Sequence, residues 1–222
     1  MFDSDNDDHW IPLADLMTGL MVMFLLIAVT IMVDTIERNQ QLSEKQHHDS
    51  TLVNNDTVNN ISADLKKNLG NILNATNVQF ESKDLVVRFR GNLSLFNVGS
   101  NEITPQFKEQ ISQFMPMYLD VITKYESQID SINIDGYASS FWGKDADVEK
   151  AYFLNMNLSQ QRARSVLEYV YHEVLFNSPQ NQEFLRDYFT ANGYSSSRFV
   201  TNIDGSENTS LSQRVEFKII LK

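Results

Sequence analysis

Trp10–Val33 reads WIPLADLMTGLMVMFLLIAVTIMV, and this stretch sets the layout of the whole chain. It is apolar almost throughout. Asp15 is its single ionisable side chain, and from Leu16 to Val33 only Thr18, Gly19 and Thr30 interrupt it. A helix rises about 1.5 Å per residue, so these residues would reach roughly 36 Å, enough to cross a hydrocarbon core of about 30 Å. The expected layout is an acidic tail over 1–9, one transmembrane helix over 10–33, a polar linker over 34–77 and a folded domain over 78–222. Cleavage as a signal peptide is not expected. The tail MFDSDNDDH is acidic rather than basic, the apolar run is too long, and no small-x-small site follows it.

Asp15 is the chemical question. An ionised carboxylate at the centre of a bilayer costs about 2.5–3.5 kcal/mol, so an intramembrane acid is a functional-site hypothesis by default. The competing reading is a simple cap: Asp15 follows Pro12 near the helix start, where the dipole favours an acid at headgroup level. Asp15, Thr18, Gly19 and Val22 share one helical face at i, i+3, i+4 and i+7. Small Gly19 lets another helix come close on that face, which favours burial of the acid within an assembly.

The run from Trp10 through Phe24, with Ala14-Asp15-Leu16-Met17-Thr18 at its heart, resembles the single membrane helix of MotB-family stator subunits. The resemblance implies that Asp15 carries protons and that Trp10 sits at the interface ahead of it. It also implies a homodimer of this chain inside a pentameric ring of MotA-like multi-span subunits. The location implied is the bacterial inner membrane, with the N-terminus cytoplasmic and the C-terminal domain periplasmic. Charge gives this orientation no support, because the first bases, Arg38 and Lys45, follow the span. The acidic tail and the W-x-x-x-A-D-L-M-T-x-x-M-V-x-F pattern look closer to the membrane subunit of Zorya-type anti-phage defence than to flagellar stators. Two rival classes stand beside this: a passive wall anchor in which Asp15 is only a cap, and an ExbD/TolR-like energiser.

The chain has 222 residues and a formal net charge of −11. The acid excess argues against nucleic acid as a partner, since phosphate binding wants clustered Lys and Arg. There is no cysteine, hence no disulfide framework, thiolate metal site or Cys nucleophile. His47-His48 in the linker reads as a solvated pair, short of the ligand count of a metal site. Val58, Ile61, Leu65, Leu69, Ile72 and Leu73 repeat at helical spacing, which predicts a helix over 58–73 packed on the domain.

Beyond the linker, Val78–Phe80 and Leu85–Phe89 read as a hairpin. Thr104-Pro105 reads as the cap and first residue of a helix that Pro116 kinks or breaks. Ser131–Tyr137 alternates as a strand. Leu158–Val174 reads as a helix with Ser159 as its cap, Phe184–Phe189 as a helical turn, Asn192-Gly193 as a stop and Arg214–Leu221 as a last strand. Strands alternating with helices give an α/β domain, an α+β sandwich with helices packed on a small mixed sheet.

This pattern resembles the OmpA-like peptidoglycan-binding domain, most specifically at Asn155-x-x-Leu158-Ser159-x-x-Arg162-Ala163. Phe96 with Gly99-Ser100, Asp135-Gly136-Tyr137, Gly193 and Arg214-Val215-Glu216 match more weakly. The resemblance implies wall-peptide binding through Arg162, Asn155, Arg214 and the position of Ser139. In that family an Arg and an Asp hold a zwitterionic diaminopimelate side chain. Here the Arg is present as Arg162, whereas Ser139 stands where the Asp is expected. Asp145 and Asp147 in the following loop are the candidate substitutes, and Trp142 either covers a ligand or packs the loop. No nucleophile elbow, triad or phosphate loop is visible, so an enzyme is not expected, nor is a cofactor or a metal.

Overall fold

The computed structural model describes residues 17, 19–21, 23–25, 27–30, 32, 55–70, 72–73, 78–91, 95–143 and 146–222. Asp15, Thr18, Val22, Trp10, His47, His48 and Asp145 lie outside these residues. The chain divides into two units, Met1–Val53 and Asn54–Lys222.

In the first unit every described residue between 17 and 32 is helical and exposed. Met17, Leu20, Met21, Met23, Phe24, Leu25, Ile27, Val29 and Met32 place large apolar side chains all round this helix. A helix apolar on every side has no place in water unless something covers it. The Thr30 hydroxyl donates to the Ile27 carbonyl at 2.8 Å, so this polar group is satisfied within the helix. Among the described residues, no helix is long and apolar enough to cross a membrane.

The second unit is built on a five-stranded sheet. Strands β1 (Val78–Glu81), β2 (Val86–Arg90), β3 (Ile129–Tyr137), β4 (Phe189–Gly193) and β5 (Arg214–Leu221) lie in the order β1-β2-β5-β3-β4. Only β3 and β4 run parallel; the other pairs are antiparallel. Alternation divides the sheet into two faces. Val87, Phe89, Ile132, Ile134, Val215, Phe217 and Ile219 point into the core. Arg88, Asp135, Glu216 and Lys218 occupy the opposite face.

Helix α1 (55–70) enters the core through Ile61, Leu65 and Leu69, and Ile72 follows just beyond it. The helical spacing predicted over 58–73 is therefore the buried seam of this helix. Helix α2 (Pro105–Ile122) starts as the sequence predicts: the Thr104 hydroxyl accepts from the Phe107 amide at 3.3 Å. Its Phe107 and Phe114 meet Phe89 and Phe217 with ring centroids 5.1–5.4 Å apart where Phe89 meets Phe107 and Phe114, and 5.2 Å apart where Phe114 meets Phe217. Pro116 does not break α2. Both Pro116 and Ser112, whose carbonyl loses its intrahelical donor, are exposed, so water can take that acceptor.

Three further expectations are corrected. Helix α3 spans Val148–Tyr169, beginning well before Leu158, and Asp147 rather than Ser159 caps it, accepting from the Lys150 amide at 2.7 Å. Its first turns bury little besides Ala151 and Asn155, so they carry no apolar period to read. Ser159 lies inside the helix, donating to the Met156 carbonyl and accepting from the Ser195 amide. Val170–Val174 closes this helix as a π turn. Helix α4 spans Pro179–Tyr188, longer than the predicted turn. Asn192-Gly193 is no helix stop: it ends the parallel edge strand β4, which is short and polar on its outer face.

The α3–sheet contact is unusually close. A Cβ on Gly136 would overlap the Ser159 carbonyl oxygen, and one on Gly193 would overlap Gln160 and the Ser159 hydroxyl. Gly136→Ala is therefore expected to cost about 1–3 kcal/mol or more through overpacking. Gly70→Ala meets nothing within 4 Å in α1. Helix propensity then predicts a gain of about 0.5–1 kcal/mol. Thermal unfolding of the detergent-solubilised chain checks both; a tolerated Gly136→Ala would show that α3 can lift from the sheet.

Candidate functional site

The close approach of α3 brings three chain segments to one end of the sheet. They are the turn before α2, the loop leaving β3, and the start of β5. Between them lies a pocket of about 450 Å³ whose lining includes Leu95, Phe96, Tyr137, Ser139, Phe141, Trp142, Asn155, Leu158, Arg162, Gln213 and Arg214. The four residues for which the resemblance implies wall-peptide binding, Ser139, Asn155, Arg162 and Arg214, meet here. Trp142 lines the pocket as well.

Arg162 is 7% exposed. Its Nε donates to the Ser100 carbonyl at 3.0 Å, and the guanidinium lies 4.9 Å from the Phe96 ring centroid. Gly99, at φ +66°, turns the chain so that this carbonyl faces the arginine. Among the described residues no carboxylate comes within ion-pair distance of Arg162. Burial without a counter-charge pushes its guanidinium down to about 10. Asn155 is 2% exposed, and its Nδ2 has no hydrogen-bond partner among the described residues. An orphaned buried donor costs about 1–3 kcal/mol, which marks it as a group arranged for something else. The Ser139 hydroxyl is buried and, among the described residues, accepts only a long bond, 3.4 Å, from Gln213 Nε2.

Arg214 is differently placed. Its Nε donates to Glu216 at 2.6 Å and its Nη1 to the carbonyls of Arg198 and Ser212. Its guanidinium stacks 3.8 Å from the centroid of Tyr137, which stacks on Tyr194, over which Arg198 lies in turn. Glu216 also accepts from Arg88 Nε at 2.6 Å. Burial raises the Glu216 carboxyl, but Arg214 and Arg88 together outweigh it and hold the group below its ordinary value. Arg214 is thus neutralised and committed to the fold.

Asp147, one of the two proposed substitute acids, is taken by the α3 cap. Glu207 is held by the backbone amide and hydroxyl of Ser140. Sequence reasoning missed Glu207 and the Tyr194–Arg198 stack. Glu207 has no local signal, since it meets Ser140 only by the return of the loop before β5, and Tyr194 reaches Tyr137 only through the pairing of β3 with β4. Among the described residues of the pocket no nucleophile is paired with a base. What it offers is hydrogen-bond donors, one uncompensated positive charge and apolar walls, a combination that binds an anionic, acceptor-bearing group.

Asp135 sits beside the site on the polar face, 2% exposed and directly across from Glu216 in the β3–β5 pairing. Burial raises its carboxyl and Glu216 adds to this, against a hydrogen bond from Asn192 and the charges of Lys218 and Arg198. An acid raised above its unfolded value of about 3.9 costs stability when ionised at neutral pH, and the cost is relieved as pH falls through its folded value. Asp135→Asn keeps an acceptor for Asn192 and removes the charge. It is expected to raise the melting temperature at neutral pH, with the gain shrinking as pH approaches about 4. A pH-independent gain would assign the effect to packing.

No model of a known protein family matches the chain. Zorya protein ZorB of Escherichia coli (strain ATCC 8739, Crooks) is 33% identical over 220 residues, 98% of this chain and 89% of that protein. Among solved structures, the cell wall anchor of the type VI secretion system from Pseudomonas aeruginosa is 21% identical, with a TM-score of 0.47. It covers 71% of this chain and 97% of that one. A MotB-like protein from Desulfovibrio vulgaris is 17% identical, with a TM-score of 0.49, covering 75% and 93%. The identity to ZorB extends over nearly the whole length of both chains, through the N-terminal span as well as the pocketed domain, and the chain belongs to the Zorya ZorB family.

Proposed function

We propose that this chain is the ion-carrying, wall-anchored subunit of a stator-like membrane motor serving anti-phage defence. The observation that carries this reading is the full-length relationship to ZorB combined with the Ala14–Thr18 run around Asp15. The chain crosses the bacterial inner membrane once over 10–33, with its N-terminus cytoplasmic and its pocketed domain periplasmic. One helix cannot enclose a water path, so the channel is completed by MotA-like multi-span subunits, a pentameric ring around a dimer of this chain. Asp15 takes up and releases a proton in that channel. One charge crossing the membrane supplies about 2.3 kcal/mol per 100 mV, which turns the ring against a dimer held to peptidoglycan. Arg162, with Asn155 and Ser139, forms the wall contact, and Arg214 shapes the pocket from behind.

Asp15→Asn, nearly isosteric and unable to ionise, is expected to assemble normally and abolish phage protection, whereas Asp15→Glu retains part of it. Full protection by the Asn variant would return Asp15 to the role of a helix cap and leave a passive anchor.

The Thr18, Gly19 and Val22 face meets partner helices in this reading. Gly19→Leu is expected to prevent co-purification with the MotA-like subunit, while Val33→Leu does not. Equal recovery of both complexes would place the interface elsewhere.

A further inference from the structure

We propose that the pocket reads a carboxylate alone: its ligand is a wall-peptide carboxylate on a short apolar stem, and a neighbouring ammonium contributes nothing to binding. The proposal rests on the wall-anchoring reading above and names the chemistry of that contact.

Charge is the first reason. Among the described residues that line the pocket stand two arginines and no acid. Arg214 is paired with Glu216, which it shares with Arg88, itself also paired with Glu81, but Arg162 has no carboxylate within ion-pair distance among the described residues. The cavity therefore presents a net positive charge in a desolvated setting, where an anion gains and a second cation loses. Among the described residues the acids nearby in the chain are occupied: Asp147 caps α3, Glu216 serves two arginines, and Glu207 is bound by Ser140 outside the lining.

Hydrogen-bond geometry is the second. Asn155 and Arg162 lie two helical turns apart on one face of α3, and helical side chains lean toward the N-terminus, so the guanidinium reaches back toward Asn155. With Nε held by Ser100, the Nη groups of Arg162 meet no acceptor among the described residues. The Asn155 Nδ2 is likewise without one. A carboxylate takes the Nη pair, and the same ligand's second carboxylate oxygen or adjacent peptide carbonyl takes Asn155. Leu95, Phe96, Leu158 and Trp142 wall the rest with apolar surface. Such walls suit a methyl or methylene stem and penalise a hydrated ammonium that finds no acid.

The test uses the full chain in detergent and three soluble wall-type tripeptides ending in meso-diaminopimelate. One is native, one has the side-chain ammonium acetylated, and one has the carboxylate of that same centre amidated. Acetylation is expected to change Kd by less than about threefold and amidation to weaken binding by about tenfold or more. Ser139→Asp is expected to create the missing discrimination, strengthening the native peptide but not the acetylated one. Asn155→Leu, which removes an orphan donor, is expected to keep or raise the melting temperature while weakening the native peptide by about fivefold. A tenfold loss on acetylation would overturn the inference and assign the ammonium to an acid such as Asp145 or Glu207, leaving wall anchoring intact. Unchanged affinity in Asn155→Leu would equally overturn the two-donor arrangement. Purified sacculi separate the two levels. Arg162-dependent retention without binding of any tripeptide removes the inference alone, and no retention of the native chain removes the anchoring reading with it.

Discussion

The distance at which α3 lies on the sheet governs the rest of this domain. Gly136 on β3 and Gly193 on β4 stand side by side in register, and neither position has room for a methyl group beneath Ser159 and Gln160. Only because both strands present bare backbone there does the helix settle low enough for its inner face to be small. Ser159 bonds the Ser195 amide, and Ala163 is fully buried. Residues 155 and 162 flank that seat and are thereby fixed at the end of the sheet. The Asn-x-x-Leu-Ser-x-x-Arg-Ala spacing is thus a packing rule as well as a list of ligands: the small residues set the depth, and the polar ones use it.

The two arginines of the pocket show how similar side chains in similar burial take opposite roles. Arg214 is surrounded by acceptors: Glu216, two backbone carbonyls and the face of Tyr137. Arg162 has one carbonyl and one ring. A buried charge supplied with partners is part of the structure, whereas one left short is a source of binding energy, because a ligand that completes it recovers a desolvation cost already incurred in folding. The same reasoning applies to Asp135, placed opposite Glu216 and left with a single amide donor. Strain of this kind is concentrated at the end of the sheet where the pocket opens.

Much of this was legible in the sequence. Periodicity located the β1–β2 hairpin, β5 and the buried seam of α1, because each carries its apolar residues in a local pattern, and the Thr104-Pro105 pair located the start of α2. The residues of the pocket were legible through a motif whose spacing is helical. What was not legible depends on contacts distant in sequence. The first turns of α3 face solvent and show no period, and β4 is five residues long, reads FTANG and is held only by its parallel neighbour. That Arg88 shares Glu216 with Arg214, and that Glu207 folds over Ser140, follows from pairings between strands and loops that no local window contains. Ser139, at the position where the resemblance implies an acid, lines the pocket. The structure adds that no other acid among the described residues lines the pocket.

A wall contact made by one carboxylate raises a mechanical question for a stator. A charge-assisted hydrogen bond contributes about 1.5–3 kcal/mol, which is comparable to the roughly 2.3 kcal/mol released by one proton falling through 100 mV. A single such anchor would be dragged loose about as readily as the ring would turn. Two chains held together change this, because the second pocket then rebinds at an effective concentration set by the linker, in the millimolar range, before the first lets go. On the reading proposed here, the dimer is required at the wall as much as in the membrane: each weak, carboxylate-only pocket can let go and rebind while its partner holds, so the pair as a whole stays fixed against the torque.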